Sequence, residues 1–302
     1  NFKQKGNLFE FEINVSATKR MTKFYNQDPF LNYKKHQDKH SLNSVGEKNF
    51  LFKQLKDFLG NNSMFIEIGS GTSQVSNYLA YGTNNKIFAL DPTIRSLEMG
   101  KNFADKNNIK NIRFINADIY DDVLNNNLFD VLLCSGVLHH TRNSYESFSL
   151  LPKLLKNNGY IIIGLYNTYG RFRTKIRQFF YKIFGSKYVM IFDPVLRTLN
   201  KNKKENFEKI KSWINDQYTH PVKRTHTFDE LLEWFNKHNI EFINSIPSCD
   251  CVEGVPSEIF KKTSKSSFME RIFQQIRINF NTLGDEGGLF FFIGKKKDDN
   301  NK

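Results

Sequence analysis

The chain has 302 residues, 39% of them hydrophobic, enough to bury a sizeable core as one large domain with additions. Its three cysteines, Cys134, Cys249 and Cys251, are too few for a disulfide framework and suit a reducing compartment. A net charge of +13 raises nucleic acid or an anionic membrane as partner, but the excess is mostly lysine in an Asn- and Ile-rich chain, a background that solvates a surface without specifying a partner.

The N-terminal NFKQKGNLFEFE alternates charged and apolar residues and has no signal-peptide h-region. The longest apolar runs, Tyr160 to Tyr166 and Leu289 to Ile293, are far too short to span a bilayer, so a soluble cytoplasmic protein is expected. Residues 1–47 read as an aromatic and basic extension able to act as a lid. From Lys48 to Leu59 apolar residues recur at helical spacing, and Gly60 closes the segment. Strands follow at Met64 to Ile68, Lys86 to Leu90, Ile112 to Ile115, Phe129 to Cys134 and Tyr160 to Leu165. Between them lie helical segments at Ser73 to Tyr81, Ile94 to Lys106 and Tyr145 to Leu155. This alternation predicts an α/β fold with a parallel sheet and helices on both faces, a core spanning 48–168.

After Asn167 the rhythm stops. Residues 169–226 read as a helical insertion, opened by a basic amphipathic segment from Arg171 to Phe184 and followed by a more polar helix near Lys201 to Trp213. A cover helix packing its phenylalanines over a substrate cavity, charges outward, has this pattern. Residues 227–294 return to the core. Thr227 and Glu230 form a capping box, strands are expected at Glu241 to Ile246 and Leu289 to Ile293, and a helix near Ser266 to Phe280. The tail 295–302 reads as disordered.

The stretch FIEIGSGTSQVSNYLA, Phe65 to Ala80, is a strand entering a glycine-rich turn and a helix, a way of holding nucleotide-type cofactors. A dinucleotide fingerprint needs glycine at position 74, which is Gln74, and no Gly-Lys-Ser/Thr follows to make a P-loop. Four successive strand ends carry suited residues: Gly69, Ser70 and Gly71; Asp91-Pro92; Asp118 in NADIYD; and Ser135-Gly136. Glycines let a ligand approach bare backbone, Asp91 can accept ribose hydroxyls, and Asp118 can receive an adenine amino group. Glu67 before the turn suits an ammonium better than a phosphate. Together these describe a site for an adenosyl amino acid.

The ordered set EIGSGT, ALDP, NADI and LLCSGVLHH resembles the class I S-adenosylmethionine-dependent methyltransferases over roughly residues 48–165, with 231–246 and 289–294 in place of the family's last helix and strand pair. GLYNTYGRFRT, DQYTHP, HTFDELLEWF and FYNQDPFLNY resemble a bacterial branch of that family. The resemblance implies a Rossmann-like seven-stranded sheet, mostly parallel with an antiparallel last strand, and S-adenosylmethionine as cofactor. It implies Glu67, Gly69 and Gly71 at the methionine end, Asp91 at the ribose, Asp118 and Ile119 at the adenine, and Ser135 near the sulfonium. The match departs at Ser73, where the family commonly has glycine; serine suits the turn if φ there is negative.

Methyl transfer needs an aligned acceptor, and a base only if the acceptor must lose a proton. His139 and His140, just past a strand end, are the candidate bases, His139 ahead of His140. Tyr166, Asn167 and Tyr169 are candidates for the acceptor wall, with His220 and His226 folding back from the insertion. No HExxH or spaced Cys/His set is present, and the lone Cys249-Asp250-Cys251 is too small for a metal site. The expected function is therefore methylation of a small molecule, at a hydroxyl of a lipid-, quinone- or sugar-type acceptor. One alternative is RNA modification through the basic 171–187 face, although no dedicated RNA-binding domain is visible and no stable nucleic-acid partner is expected. A non-catalytic cofactor-binding scaffold is the other. Peripheral membrane contact through the same basic face and the oligomeric state stay open.

Overall fold

In the computed structural model, which describes residues 2–13, 22, 38–202, 206–219, 224–249, 255–280 and 287–298, short apolar runs bounded by turns build one nine-stranded sheet. The strands are β1 (Phe2–Lys5), β2 (Leu8–Phe11), β3 (Met64–Ile68), β4 (Lys86–Asp91), β5 (Ile112–Asn116), β6 (Phe129–Ser135), β7 (Leu155–Tyr166), β8 (Ile240–Ile246) and β9 (Leu289–Lys296). Their spatial order is β1-β2-β5-β4-β3-β6-β7-β9-β8. Strands β3 to β7 are parallel to their neighbours in that order, and β9 runs antiparallel to both β7 and β8. The expected seven strands are thus present with their antiparallel last member. The count rises to nine because a β1-β2 hairpin adds to the β5 edge, Leu8 opposite Phe114.

Strand side chains alternate between two apolar cores, as the pleat requires. Phe65, Val131, Leu133 and Ile162 face one, Ile66, Ile68, Leu132 and Ile163 the other. The first is covered by α1 (Lys39–Lys48), α2 (Phe50–Leu59), α3 (Gln74–Ala80) and α4 (Ile94–Lys106), through Leu42, Leu51, Leu55, Leu79 and Leu97. Asn49 caps α2 by accepting from the Phe52 N–H, and Gly60 ends it at φ +53. α5 (Ser144–Ser149) covers the second core through Phe148. The helix expected from Tyr145 to Leu155 stops early at Ser149: Pro152 opens a 3-10 turn and Leu155 already starts β7. Proline has no N–H for a continuing helix and disfavours helical backbone in the residue before it.

The insertion contains α6 (Phe172–Phe184), α7 (Ser186–Phe192), α8 (Pro194–Leu199) and α9 (Phe207–Ile214), and Val189, Leu196, Ile210 and Tyr218 form its own small core. Helices α7 and α8 have no counterpart in the sequence expectation. The phenylalanines of α6 do not pack inward as a cover helix would: Phe172, Phe179 and Phe184 are exposed, while Thr174 is buried. The chain returns through α10 (Phe228–Lys237), whose Leu231, Trp234 and Phe235 close the second core, and α11 (Phe268–Arg277) precedes β9. Residues 295 and 296 belong to β9, not to a disordered tail. The Lys296 ammonium is buried and donates to the Leu155 carbonyl and to Asn127 Oδ1, both at 3.0 Å, which satisfies the charge where it lies. No helix among the described residues is long and apolar enough to cross a membrane.

Candidate active site

The turn between β3 and α3 is held by its own backbone. Gly69 and Ser70 N–H groups donate to the Leu90 carbonyl at 2.7 and 3.0 Å. Gly69 has φ +71, and a Cβ there would lie 2.1 Å from Val137 Cγ2, so neither the conformation nor the space admits a side chain. Gly71, at φ +52, has nothing within 4 Å of where its Cβ would be. Ser73 is also left-handed, at φ +58 and ψ +36, opposite to the negative φ expected for a serine. Local bonds hold it there. Its N–H donates to the Ser70 carbonyl at 2.7 Å, the two serine hydroxyls are 3.1 Å apart, and its carbonyl accepts from Asn77 N at 2.9 Å and Nδ2 at 3.0 Å. Glu67 Oε2 accepts from the Ser76 N–H at 3.1 Å and the Ser76 hydroxyl at 2.5 Å, anchoring strand end to helix.

Above this turn opens a cavity of about 310 Å³, at the carboxyl ends of the parallel strands, where such sheets bind ligands. Its wall includes Glu67, Gly69, Ser70, Gly71, Asp91, Pro92, Asp118, Ile119 and Ser135, so every residue expected to bind the cofactor lies on one cavity. Asp91 Oδ2 accepts from the Gly71 N–H at 2.8 Å and Oδ1 from the Thr93 N–H at 2.7 Å, and the Thr93 hydroxyl adds a third bond to the carboxylate. Asp118 Oδ1 accepts from the Tyr120 N–H at 3.1 Å, and the Asp118 N–H donates to Asp121 at 2.8 Å. Burial pushes the Glu67 carboxyl up to about 7, against the hydrogen bonds from Ser76 and with help from nearby Asp91. Burial raises Asp91 as well, opposed by the N–H groups of Thr93 and Gly71 and by the Thr93 hydroxyl. Three carboxyl groups line this cavity, and among the described residues no lysine or arginine does. The donor set favours a cationic, hydroxylated ligand and disfavours a phosphate.

The paired histidines part company. His140 is on the cavity wall, next to Thr141 and Val137. His139, the candidate placed first, is fully buried and does not line the cavity; its ring packs 4.0 Å from that of Tyr166 and 4.2 Å from that of His140. Tyr166 does line the cavity, with the Arg171 guanidinium 3.8 Å from its ring centroid on another side. Asn167 does not. It is a buried strut, accepting from Tyr169 and Gly170 N–H groups and donating to Gln275 Oε1 at 2.8 Å. Tyr169 is over a third exposed and off the cavity, its carbonyl taken by Asn279. His226 is also off it: Nε2 is 3.0 Å from the Ser144 hydroxyl and Nδ1 3.3 Å from Glu230, a latch between α5 and α10. Its backbone pairs with Tyr166 and Thr168, and Arg224 N–H donates to the His139 carbonyl, so residues 224–226 brace the wall from behind. His220, Asp250, Cys251 and FYNQDPFLNY fall outside the described residues. Cys249 is buried and accepts from the Ser245 hydroxyl at 3.2 Å, and no group able to hold a metal occurs among the described residues. Sequence reasoning missed Thr22, Phe52, Val137 and Thr141 on the wall; the first two arrive from outside the motif-bearing loops and carry no pattern of their own.

Comparison with known proteins agrees with this geometry. A family model described as a methyltransferase domain matches residues 59–239, which contain every carboxylate of the cavity. The chain belongs to this family, and it is a class I S-adenosylmethionine-dependent methyltransferase. The methyltransferase is 28% identical over 129 residues to a ubiquinone biosynthesis O-methyltransferase of Rickettsia prowazekii, covering 43% of this chain and 48% of the relative. A protein of the same name from Rickettsia bellii is 24% identical over 157 residues, 51% of this chain and 61% of the relative. The chain thus spans about half the length of the curated relatives it matches. Among solved structures, PKMT2 from Rickettsia typhi in complex with AdoHcy shares the fold at TM-score 0.58 and 15% identity, over 84% of this chain and 54% of that one. Geranyl diphosphate C-methyltransferase from Streptomyces coelicolor shares it at TM-score 0.52 and 11% identity, over 94% and 100%. The cofactor fits the residues present: bare backbone at Gly71, carboxyl groups at Glu67, Asp91 and Asp118, and, among the described lining residues, no lysine or arginine to repel a sulfonium.

Proposed function

We propose that the methyltransferase acts on a hydroxyl group of a small, largely apolar acceptor, with His140 as the general base. The observation that carries this reading is the wall of the cavity past Ser135. There Val137, Tyr166 and Phe52 present apolar surface, and His140 is the one imidazole among the described lining residues. The curated relatives are named as O-methyltransferases of ubiquinone biosynthesis, which supports an oxygen acceptor on an apolar body. When bound, S-adenosylmethionine supplies the methyl group as an electrophilic carbon on sulfur.

The chain's own residues have separate tasks. Gly71 brings bare backbone to the methionine end, Gly69 holds the turn close against Val137, and Glu67 faces the ammonium. Asp91 takes the ribose hydroxyls; Asp118 and Ile119 hold the adenine. Tyr166, pinned by Arg171 on its outer side, forms a rigid apolar wall that positions the acceptor and excludes water. His140 takes the proton that the acceptor hydroxyl loses.

The test is a His140→Gln variant assayed with hydroxylated aromatic acceptors. Turnover should fall about 100-fold or more while cofactor affinity stays unchanged. Unchanged turnover with a confirmed hydroxyl acceptor would remove the base, and methylation confined to carbon, nitrogen or sulfur acceptors would remove the hydroxyl.

A further inference from the structure

Helix α11 is built inside out. Its buried residues are Gln274 and Gln275, and Gln275 Oε1 accepts from Asn167 and from the Phe228 N–H. Its outward positions are Met269, Phe273, Ile276 and, just past its end, Phe280, spaced by four, three and four residues; Met269 is 71% and Phe280 75% exposed. Helix α6 repeats the arrangement. With roughly 100° between successive residues, Phe172, Ile176, Phe179 and Ile183 share one face, and each is at least 40% exposed. The opposite face carries buried Thr174 and half-buried Gln178, which donates to the Gln217 carbonyl at 2.8 Å.

Charge tells what covers these faces. Between Phe172 and Phe192 there are five lysines and arginines and no acid. On α6 exposed Arg173 flanks the apolar stripe on one side and exposed Lys175 and Lys182 on the other, while Arg177 turns toward buried Asp193, 4.0 Å away. Exposed Lys187, Ile191 and Phe192 continue the same mixture on α7. Two outward apolar faces meet where the Arg173 guanidinium donates to the Asn279 carbonyl and Asn279 Nδ2 donates to the Tyr169 carbonyl. On α6 and α7 an apolar centre with cationic borders matches a bilayer interface, aromatic rings entering the acyl boundary while ammonium and guanidinium groups remain among anionic headgroups; α11 adds apolar area, with Glu270 and Arg277 beside it. A soluble protein partner would need a matching acidic rim. RNA would leave the phenylalanines in water.

We propose that α6, α7 and α11 form a docking surface for an anionic lipid bilayer, holding the methyltransferase on the membrane as a peripheral protein. The surface adjoins the cavity, since Tyr166 on the wall is stacked under Arg171, the residue that opens α6. It does not rest on the hydroxyl or His140 assignments.

The test is sedimentation of the full chain with vesicles of phosphatidylcholine alone and of phosphatidylcholine containing phosphatidylglycerol. Strong binding to the second and weak binding to the first is expected. Replacing two border cations together, Lys182→Gln and Lys187→Gln, should weaken it about 30-fold. The pair Phe179→Ser and Phe273→Ser should abolish it, while thermal stabilisation by S-adenosylmethionine persists and shows that the variant folds. Absence of vesicle binding by the unaltered chain overturns the proposal. So does vesicle binding that survives the phenylalanine changes, or a dimer that those changes dissociate in a chain indifferent to vesicles. Salt-dependent binding to RNA but not to vesicles would assign the surface to nucleic acid instead.

Discussion

Glu67 connects protonation to both folding and ligand affinity. Its carboxyl is raised from 4.5 in the unfolded chain to about 7 in the fold, so between these values the folded protein keeps a proton that the unfolded chain has lost. Stability from this group is full below the lower value and falls as pH rises toward the upper, by about 3 kcal/mol in all. The cofactor's ammonium should reverse the preference, because it favours the carboxylate. Calorimetric affinity for S-adenosylmethionine should therefore tighten as pH rises through about 7, and Glu67→Gln should flatten that profile. A profile unchanged by the substitution would take Glu67 away from the ammonium. The two glycines of the turn should separate fold from ligand. Gly69→Ala meets Val137 at 2.1 Å and a positive φ, so it should cost about 3 kcal/mol in denaturant unfolding. Gly71→Ala has open space, so its stability cost should be about 1 kcal/mol while cofactor affinity falls much further. Equal stability losses would refute the distinction.

At the scale of elements, the core was readable because its strands are buried on both faces and its helices on one. Met64–Ile68 and Ile94–Lys106 appear where apolar runs and helical spacing put them. The hairpin Phe2–Phe11 was missed within residues 1–47, read only as an extension: Gly6 and Asn7 separate two apolar-polar runs, a turn signal that the charged composition obscured. Helix α8 carries the Asp-Pro signature of a helix start, with Asp193 accepting from Val195 and Leu196 N–H groups. What spacing cannot give is direction. The pattern of α6 fits a face turned inward or outward equally well, and of His139 and His140, adjacent in sequence with rings in contact, only His140 reaches the cavity. Asn167 and His226 look like site residues by composition but serve as ties. Cutting the second tie has a clear expectation: His226→Ala leaves the Ser144 hydroxyl and Glu230 without their shared partner. Unfolding free energy should drop by about 1–3 kcal/mol with cofactor affinity nearly kept. Loss of affinity with no loss of stability would instead make His226 a ligand residue.

For the whole molecule, ligand linkage is the broadest test. S-adenosylmethionine at about a hundred times its Kd should add about 2.7 kcal/mol to stability and raise Tm, and NADH should add none. An NADH shift equal to that of S-adenosylmethionine would contradict a cavity lined by carboxyl groups. Last, among the described residues β9 is the last strand in chain order, yet it sits between β7 and β8 and alone joins β8 to the rest of the sheet. A chain emerging from the ribosome therefore keeps the β7 edge unpaired until residue 296 is free, and a sheet edge left open is a template for self-association. Synthesis order thus makes β9, anchored by the buried Lys296 ammonium, the step that pairs the β7 edge and removes that template.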